Sequence, residues 1–193
     1  MKNRLATYFI ILTIGSSLPA YTQSLLPYHA IPEVPSAYTP ATTVARLIDG
    51  LGFRYYWATE GLTSSDLAFK PSVEARSTDE TLTHILSLCI SASNIIINEQ
   101  GEHFKLDVLS YEEKRRLTLE ALETASNHLK SNPDLDLESL AIPGGDTSFP
   151  FWYLINGHLS DALTHVGQVV SFRRSSGNPV NPKVSVFKGI VVD

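Results

Sequence analysis

The sequence predicts an all-α fold, a four-helix bundle. Three observations carry this reading. Four long segments repeat apolar residues at three- and four-residue spacing. Cap residues open the second and third of these segments, and Gly, Asn or Pro closes each of the four. They fall within a stretch of about 135 residues, which suits four helices sharing one core.

The first helix is expected over residues 42–61, with Val44, Leu47, Ile48, Leu51, Tyr55 and Ala58 on its apolar face. Gly50 and Gly52 lower its propensity without breaking the pattern. Residues 62–77 read as a connection containing Pro71. Ser77 or Thr78 can cap the second helix, whose first turn holds Asp79 and Glu80 and which runs to about residue 98. Its buried stripe is Thr81, Ile85, Leu88, Ala92 and Ile95 or Ile96. After a short linker at 103–110, Ser110 and Glu113 form a capping box for the third helix, residues 111–130. Leu117, Leu119, Leu122, Ala125 and Leu129 give its apolar face, and Asn132-Pro133 stops it. Pro143-Gly144-Gly145-Asp146 reads as a turn. The last helix is expected over residues 150–175, closed by Ser176-Gly177-Asn178-Pro179. The tail from 180 alternates weakly and suits an ordered extension or short strand.

The chain divides accordingly. Residues 1–22 have the layout of a secretory signal peptide: Lys2 and Arg4, an apolar stretch at 5–18, then Pro19-Ala20-Tyr21-Thr22. Cleavage after Ala20 or Thr22 fits, Thr22 placing the small Ala20 at position minus three. The apolar run is short for a membrane span, which needs about 20 residues. Residues 23–40 form a Pro-rich extended lead-in, 41–179 the bundle and 180–193 a C-terminal extension. The expected location is extracytoplasmic, periplasmic or secreted, with no stable membrane insertion after cleavage.

Composition narrows the function. The 193 residues carry a formal charge of −5 and no basic run, which argues against a nucleic-acid partner. A single cysteine, Cys89, excludes an internal disulfide framework and multi-cysteine zinc sites. On the second helix Cys89 falls about 140° from His84, so a nucleophilic role is not expected. No Gly-x-Ser-x-Gly elbow, phosphate-binding glycine loop or His-Glu-x-x-His motif occurs.

The six histidines separate into two groups. His29, His103 and His128 lie in the lead-in, a linker and a helix end, and read as structural or solvated. His84 lies within the apolar stripe of the second helix. On the last helix His158, Asp161 and His165 fall within about a 60° arc at 100° per residue, on a face shared with Leu154, Ile155, Ala162 and Val169. A carboxylate and imidazoles turned into an apolar seam are costly unless paired or metal-bound. Asp161 and His165 are one turn apart and can share an ion. His158 and His165 are about 10 Å apart, too far for that. His84, Asp161 and His165 are therefore the candidate ligands of one divalent transition metal, Zn, Ni or Fe. His158 is the candidate proton carrier or ligand-orienting partner. Gln168, one turn beyond His165, is positioned to orient a water or hold a ligand. A metal with an open position would activate water or thiol, or polarise a substrate oxygen. The competing reading is a metal-free Asp–His network. Arg173-Arg174 closes the last helix and either matches its dipole or binds an anionic substrate group. Trp57, Tyr55 and Tyr56 read as core, and Glu60 as a solvated helix-end residue.

His84 followed by Gly157-His158-Leu159-Ser160-Asp161-Ala162-Leu163-Thr164-His165-Val166-Gly167-Gln168 resembles the DinB-like superfamily of metal-binding four-helix bundles. The family pattern has one His on helix two and a later His-x-x-x-His running into His-Arg-Gly-Gln. The resemblance assigns His84 to the helix-two ligand, His165 to the second His, and Gly167-Gln168 to the Gly-Gln that follows. Asp161 replaces the first His of the pair and Val166 the Arg. The resemblance covers residues 42–177 and implies a metal-dependent hydrolase or thiol transferase acting on a small molecule. The alternative is a non-catalytic binding or structural bundle with a vestigial site. A homodimer is open on either reading.

Overall fold

The computed structural model describes residues 26–99 and 105–193. The expected signal peptide, the first residues of the lead-in and His103 lie outside the described residues. Helices dominate the rest: α1 (Pro40–Thr59), a short α2 (Ser64–Ala68), α3 (Thr78–Ile97), α4 (Tyr111–Ser131) and α5 (Ser160–Ser176). Two small antiparallel hairpins complete it, β1 (Ile142–Gly144) with β2 (Thr147–Phe149), and β3 (Val184–Ser185) with β4 (Ile190–Val191).

Each long helix but α5 starts on a hydroxyl that accepts from the backbone N–H three residues on. Thr39, Ser77 and Ser110 cap α1, α3 and α4, and each is answered by a side chain at that third position, Thr42, Glu80 and Glu113. Pro40 belongs to α1 rather than to the lead-in, because the first helical position needs no N–H. Residues 62–77, expected to be plain connection, contain α2, nucleated by a reciprocal Thr63–Asp66 box. The Gly-Gly turn at 144–145 closes the β1–β2 hairpin, with Gly145 at φ +70°.

The four long helices surround a common core in the order α1, α4, α3, α5. Specific contacts fix their directions. Thr39 Oγ1 donates to Pro133 O at 2.7 Å and the Tyr111 hydroxyl donates to Thr59 O, so α1 and α4 are antiparallel. Lys114 Nζ meets both Asp79 oxygens at 2.8 Å, which joins the starts of α3 and α4 and makes them parallel. Arg173 near the end of α5 donates to Trp57 O and Ala58 O at 3.0 and 3.2 Å, so α5 runs parallel to α1. Ile48, Phe53, Tyr55, Leu82, Ile85, Leu122, Leu129, Leu154 and Val169 fill the interior. Each such Leu, Ile, Val or Phe contributes about 1.5–3 kcal/mol by burial. Leu47, expected on the apolar face of the first helix, is instead exposed.

α1 has no basic residue in its last turn. Its carbonyl end is met from two neighbours. Arg173 is buried and also donates to Asn178. Arg115 donates to Thr59 Oγ1 and Tyr56 O, pairs with Glu60 and stacks over the Tyr56 ring. Arg173 is thus structural, and Glu60, the exposed residue that ends α1 as expected, also pairs with Arg115.

The lead-in docks along α1. The Tyr28 ring lies over Gly52, and Trp57 Nε1 donates to His29 O at 3.1 Å. A β-carbon at Gly52 would lie 2.6 Å from the Tyr28 ring. Gly52 is thus the seat of an aromatic ring, more than a weak spot in the helix. Asp66, almost fully buried, ties α2 to the end of α5. Burial opposes its ionisation, but hydrogen bonds from Ser176, Asn178 and Thr63 outweigh it and hold its carboxyl well below the usual range.

Gly52→Ala is expected to lower stability by about 1–3 kcal/mol through overpacking. Gly167→Ala, with nothing within 4 Å of the new methyl, should raise it by up to about 1 kcal/mol. Chemical denaturation midpoints check both. Asp66→Asn should cost about 1–3 kcal/mol at neutral pH. Because the folded pKa is depressed, that contribution is present above the unfolded carboxylate value of about 4 and fades as pH falls below it. Urea titrations of both proteins between pH 3 and 7 should show the gap closing only on the acid side.

Candidate metal centre

Three side chains from two antiparallel helices meet at the α3–α5 seam. His84 lies in the second turn of α3, five residues beyond Asp79, which Lys114 clamps to α4. Asp161 and His165 lie one turn apart at the start of α5. Their backs are fixed by Ala162, Val166 and Val169, all buried. One ligand atom from each of His84, Asp161 and His165 lies within 4.8 Å of the others.

The contacts inside this group are specific. His84 Nε2 is 3.2 Å from Asp161 Oδ2, and His165 Nε2 is 3.4 Å from Asp161 Oδ1. The imidazole rings meet edge to face, 4.6 Å between centroids and 85° between planes. His165 Nδ1 lies 2.8 Å from Gln168 Oε1. In the tautomer that donates from Nδ1 to this amide oxygen, Nε2 is the nitrogen left to act as a ligand. The donor set of two imidazole nitrogens and one carboxylate fits a divalent transition metal.

The site is more open than the sequence suggests. The side chains of His84, Asp161 and His165 are 31%, 43% and 15% exposed. The expectation of a carboxylate buried in an apolar seam is corrected: the group lies along the outer edge of the seam, where water and small molecules reach it. The cost of a dry buried charge is therefore not what points to a metal here. The convergence of three ligand atoms, which could hold one, is.

The straight-helix projection places His158 on one face with Asp161 and His165, and all three meet α3: His158 at Ser91, Asp161 at His84, and His165 against the His84 ring. The helix reaches this face through a π-helical turn over Leu154–Leu159, with Ser160 N–H reaching Ile155 O as well as Gly157 O, and the Ser160 hydroxyl on Ile155 O at 2.7 Å. His158 Nε2 pairs with Ser91 Oγ at 2.9 Å, and among the described residues no hydrogen bond joins it to His84, Asp161 or His165. Its Nδ1 is buried without a partner, and burial holds the ring pKa below the usual histidine value. Ser91 is the residue that sequence reasoning missed. The signal was its position seven residues after His84, on the same stripe of the helix as Leu88.

The remaining candidates sort simply. Cys89 is buried and its thiol is pushed up to about 12 by burial, so it is inert. Tyr55, Tyr56 and Trp57 are core. Arg174 is exposed. Comparison with family models, with curated proteins and with solved structures finds no match.

Proposed function

We propose that this chain is an exported, DinB-like four-helix bundle that holds one divalent transition metal, Zn, Ni or Fe, on His84, Asp161 and His165. The reading extends to a metal-dependent hydrolase or transferase acting on a small molecule outside the cytoplasm. The observation that carries it is the meeting of three ligand atoms from α3 and α5 within 4.8 Å, at a place that solvent reaches.

The chain's own residues have definite tasks in this account. His84 and His165 offer ring nitrogens, and Asp161 offers a carboxylate whose charge balances half of a dication. Gln168 holds His165 in the tautomer that frees Nε2. A metal held there supplies Lewis acidity and makes a bound water or thiol a better nucleophile near neutral pH. His158 is kept neutral by burial, so it is in the form that accepts a proton at neutral pH. Its bond to Ser91 steadies the ring at the same seam. A second reading, a metal-free binding or structural bundle, rests on the 3.2 Å contact of His84 Nε2 with Asp161 Oδ2, which an Asp–His network makes by itself.

Calorimetric titration of the purified chain with Zn²⁺ and Ni²⁺ separates the two. One equivalent should bind. His84→Ala, Asp161→Ala and His165→Ala should each abolish tight binding, and Gln168→Ala should weaken it by about 10–100-fold. His158→Ala should leave binding unchanged. Absence of stoichiometric binding to any of these ions would favour the metal-free reading.

A further inference from the structure

A second concave site lies between α1, α5 and the C-terminal hairpin. It is a groove of about 590 Å³, within the size range of small-molecule pockets. Its walls are apolar, formed by Trp57, Leu163, Val170 and Val184 among others. Two guanidinium groups line it, Arg54 from α1 and Arg174 from α5, and no Asp or Glu does. Arg54 uses Nη1 on Gly50 O of its own helix, at 3.0 Å, which satisfies one donor of five. Arg174 makes no hydrogen bond or ion pair among the described residues.

The protein is net acidic, and its buried or half-buried cations meet an acceptor: Lys114 on Asp79, Lys130 on Asp49, Arg115 on Glu60, Arg173 on helix-end carbonyls. Half-buried Arg54 meets only a carbonyl of its own helix, and Arg174, beside it along the groove, is exposed. At this groove two positive groups border one apolar space with no counter-charge. A ligand that satisfies it carries an anionic head for the guanidinium forks and an apolar body for the walls. We propose that the groove binds a single-chain amphipathic carboxylate. The site is separate from the candidate metal centre, since none of His84, Asp161 and His165 lines it. The hairpin that forms its far wall is held in place by Ile31 N–H on Gly189 O at 2.8 Å and by the β3–β4 pairing.

Calorimetry with sodium decanoate, kept below its micelle concentration, tests the proposal on the whole protein. One saturable site is expected. Arg174→Glu, at an exposed position that folding tolerates, should weaken it at least tenfold. Arg54→Gln should weaken it by a smaller factor. 1-Decanol, which lacks the charge, should bind at least tenfold more weakly. His84→Ala should bind decanoate as the parent does, which excludes capture at the metal centre. No saturable binding would overturn the proposal. So would affinity unchanged by Arg174→Glu, equal affinity for the alcohol, or loss of binding in His84→Ala.

Discussion

The contact on which the functional architecture depends is Asp161 between two imidazoles. One imidazole is on its own helix, one turn on, and the other comes across the seam from α3. Such a meeting requires α3 and α5 to run antiparallel at one fixed axial register. A slip of one turn, about 5.4 Å, would separate His84 from Asp161 altogether. The scaffold around the seam is arranged so that this slip is costly. Behind α5, Ala162, Val166 and Val169 are buried in the core, and behind α3 the same holds for Leu82, Ile85, Leu86 and Cys89. The open edge of the seam carries the polar groups, and the closed side carries the apolar ones.

Register is reinforced by ionic and hydrogen-bonded clamps at the helix ends. Lys114 is fully buried and holds Asp79 with both carboxylate oxygens, so the first turn of α3 is fixed just before His84. Arg173 reaches the last carbonyls of α1 and closes the other end of α5. Asp66 joins α2 to the segment that ends α5. Removing one partner from such buried pairs leaves an uncompensated polar group, which costs more than the pair contributes. The scaffold thus fixes the positions of His84, Asp161 and His165 in advance, which suits the metal site proposed here.

Much of this was legible in the sequence because it rests on local rules. The Ser77 and Ser110 caps, the Asn132-Pro133 stop and the three- and four-residue spacing of apolar side chains locate α3 and α4 nearly to the residue. His84, Asp161 and His165 were legible as a group because one residue lies on the stripe of the second helix and two lie one turn apart on the last. What the sequence did not show depends on departures from ideal geometry or on contacts distant in the chain. The π-helical turn over Leu154–Leu159 leaves no mark in the apolar spacing, and the pairing of His158 with Ser91 depends on a residue 67 positions earlier. The role of Gly52 depends on Tyr28, which lies 24 residues earlier and sits at φ +71°. The exposure of the candidate metal centre depends on how far α5 rolls against α3, which periodicity does not fix. The partner of Arg173 is a helix end more than a hundred residues away.

Anomalous diffraction from crystals grown with Zn²⁺ tests the central claim most directly. The account predicts one strong peak at the α3–α5 seam, bonded to His84 Nε2, Asp161 and His165 Nε2 at about 2.0–2.2 Å, with Gln168 still on His165 Nδ1. A map with no peak there, and with His84 Nε2 still on Asp161, would contradict it.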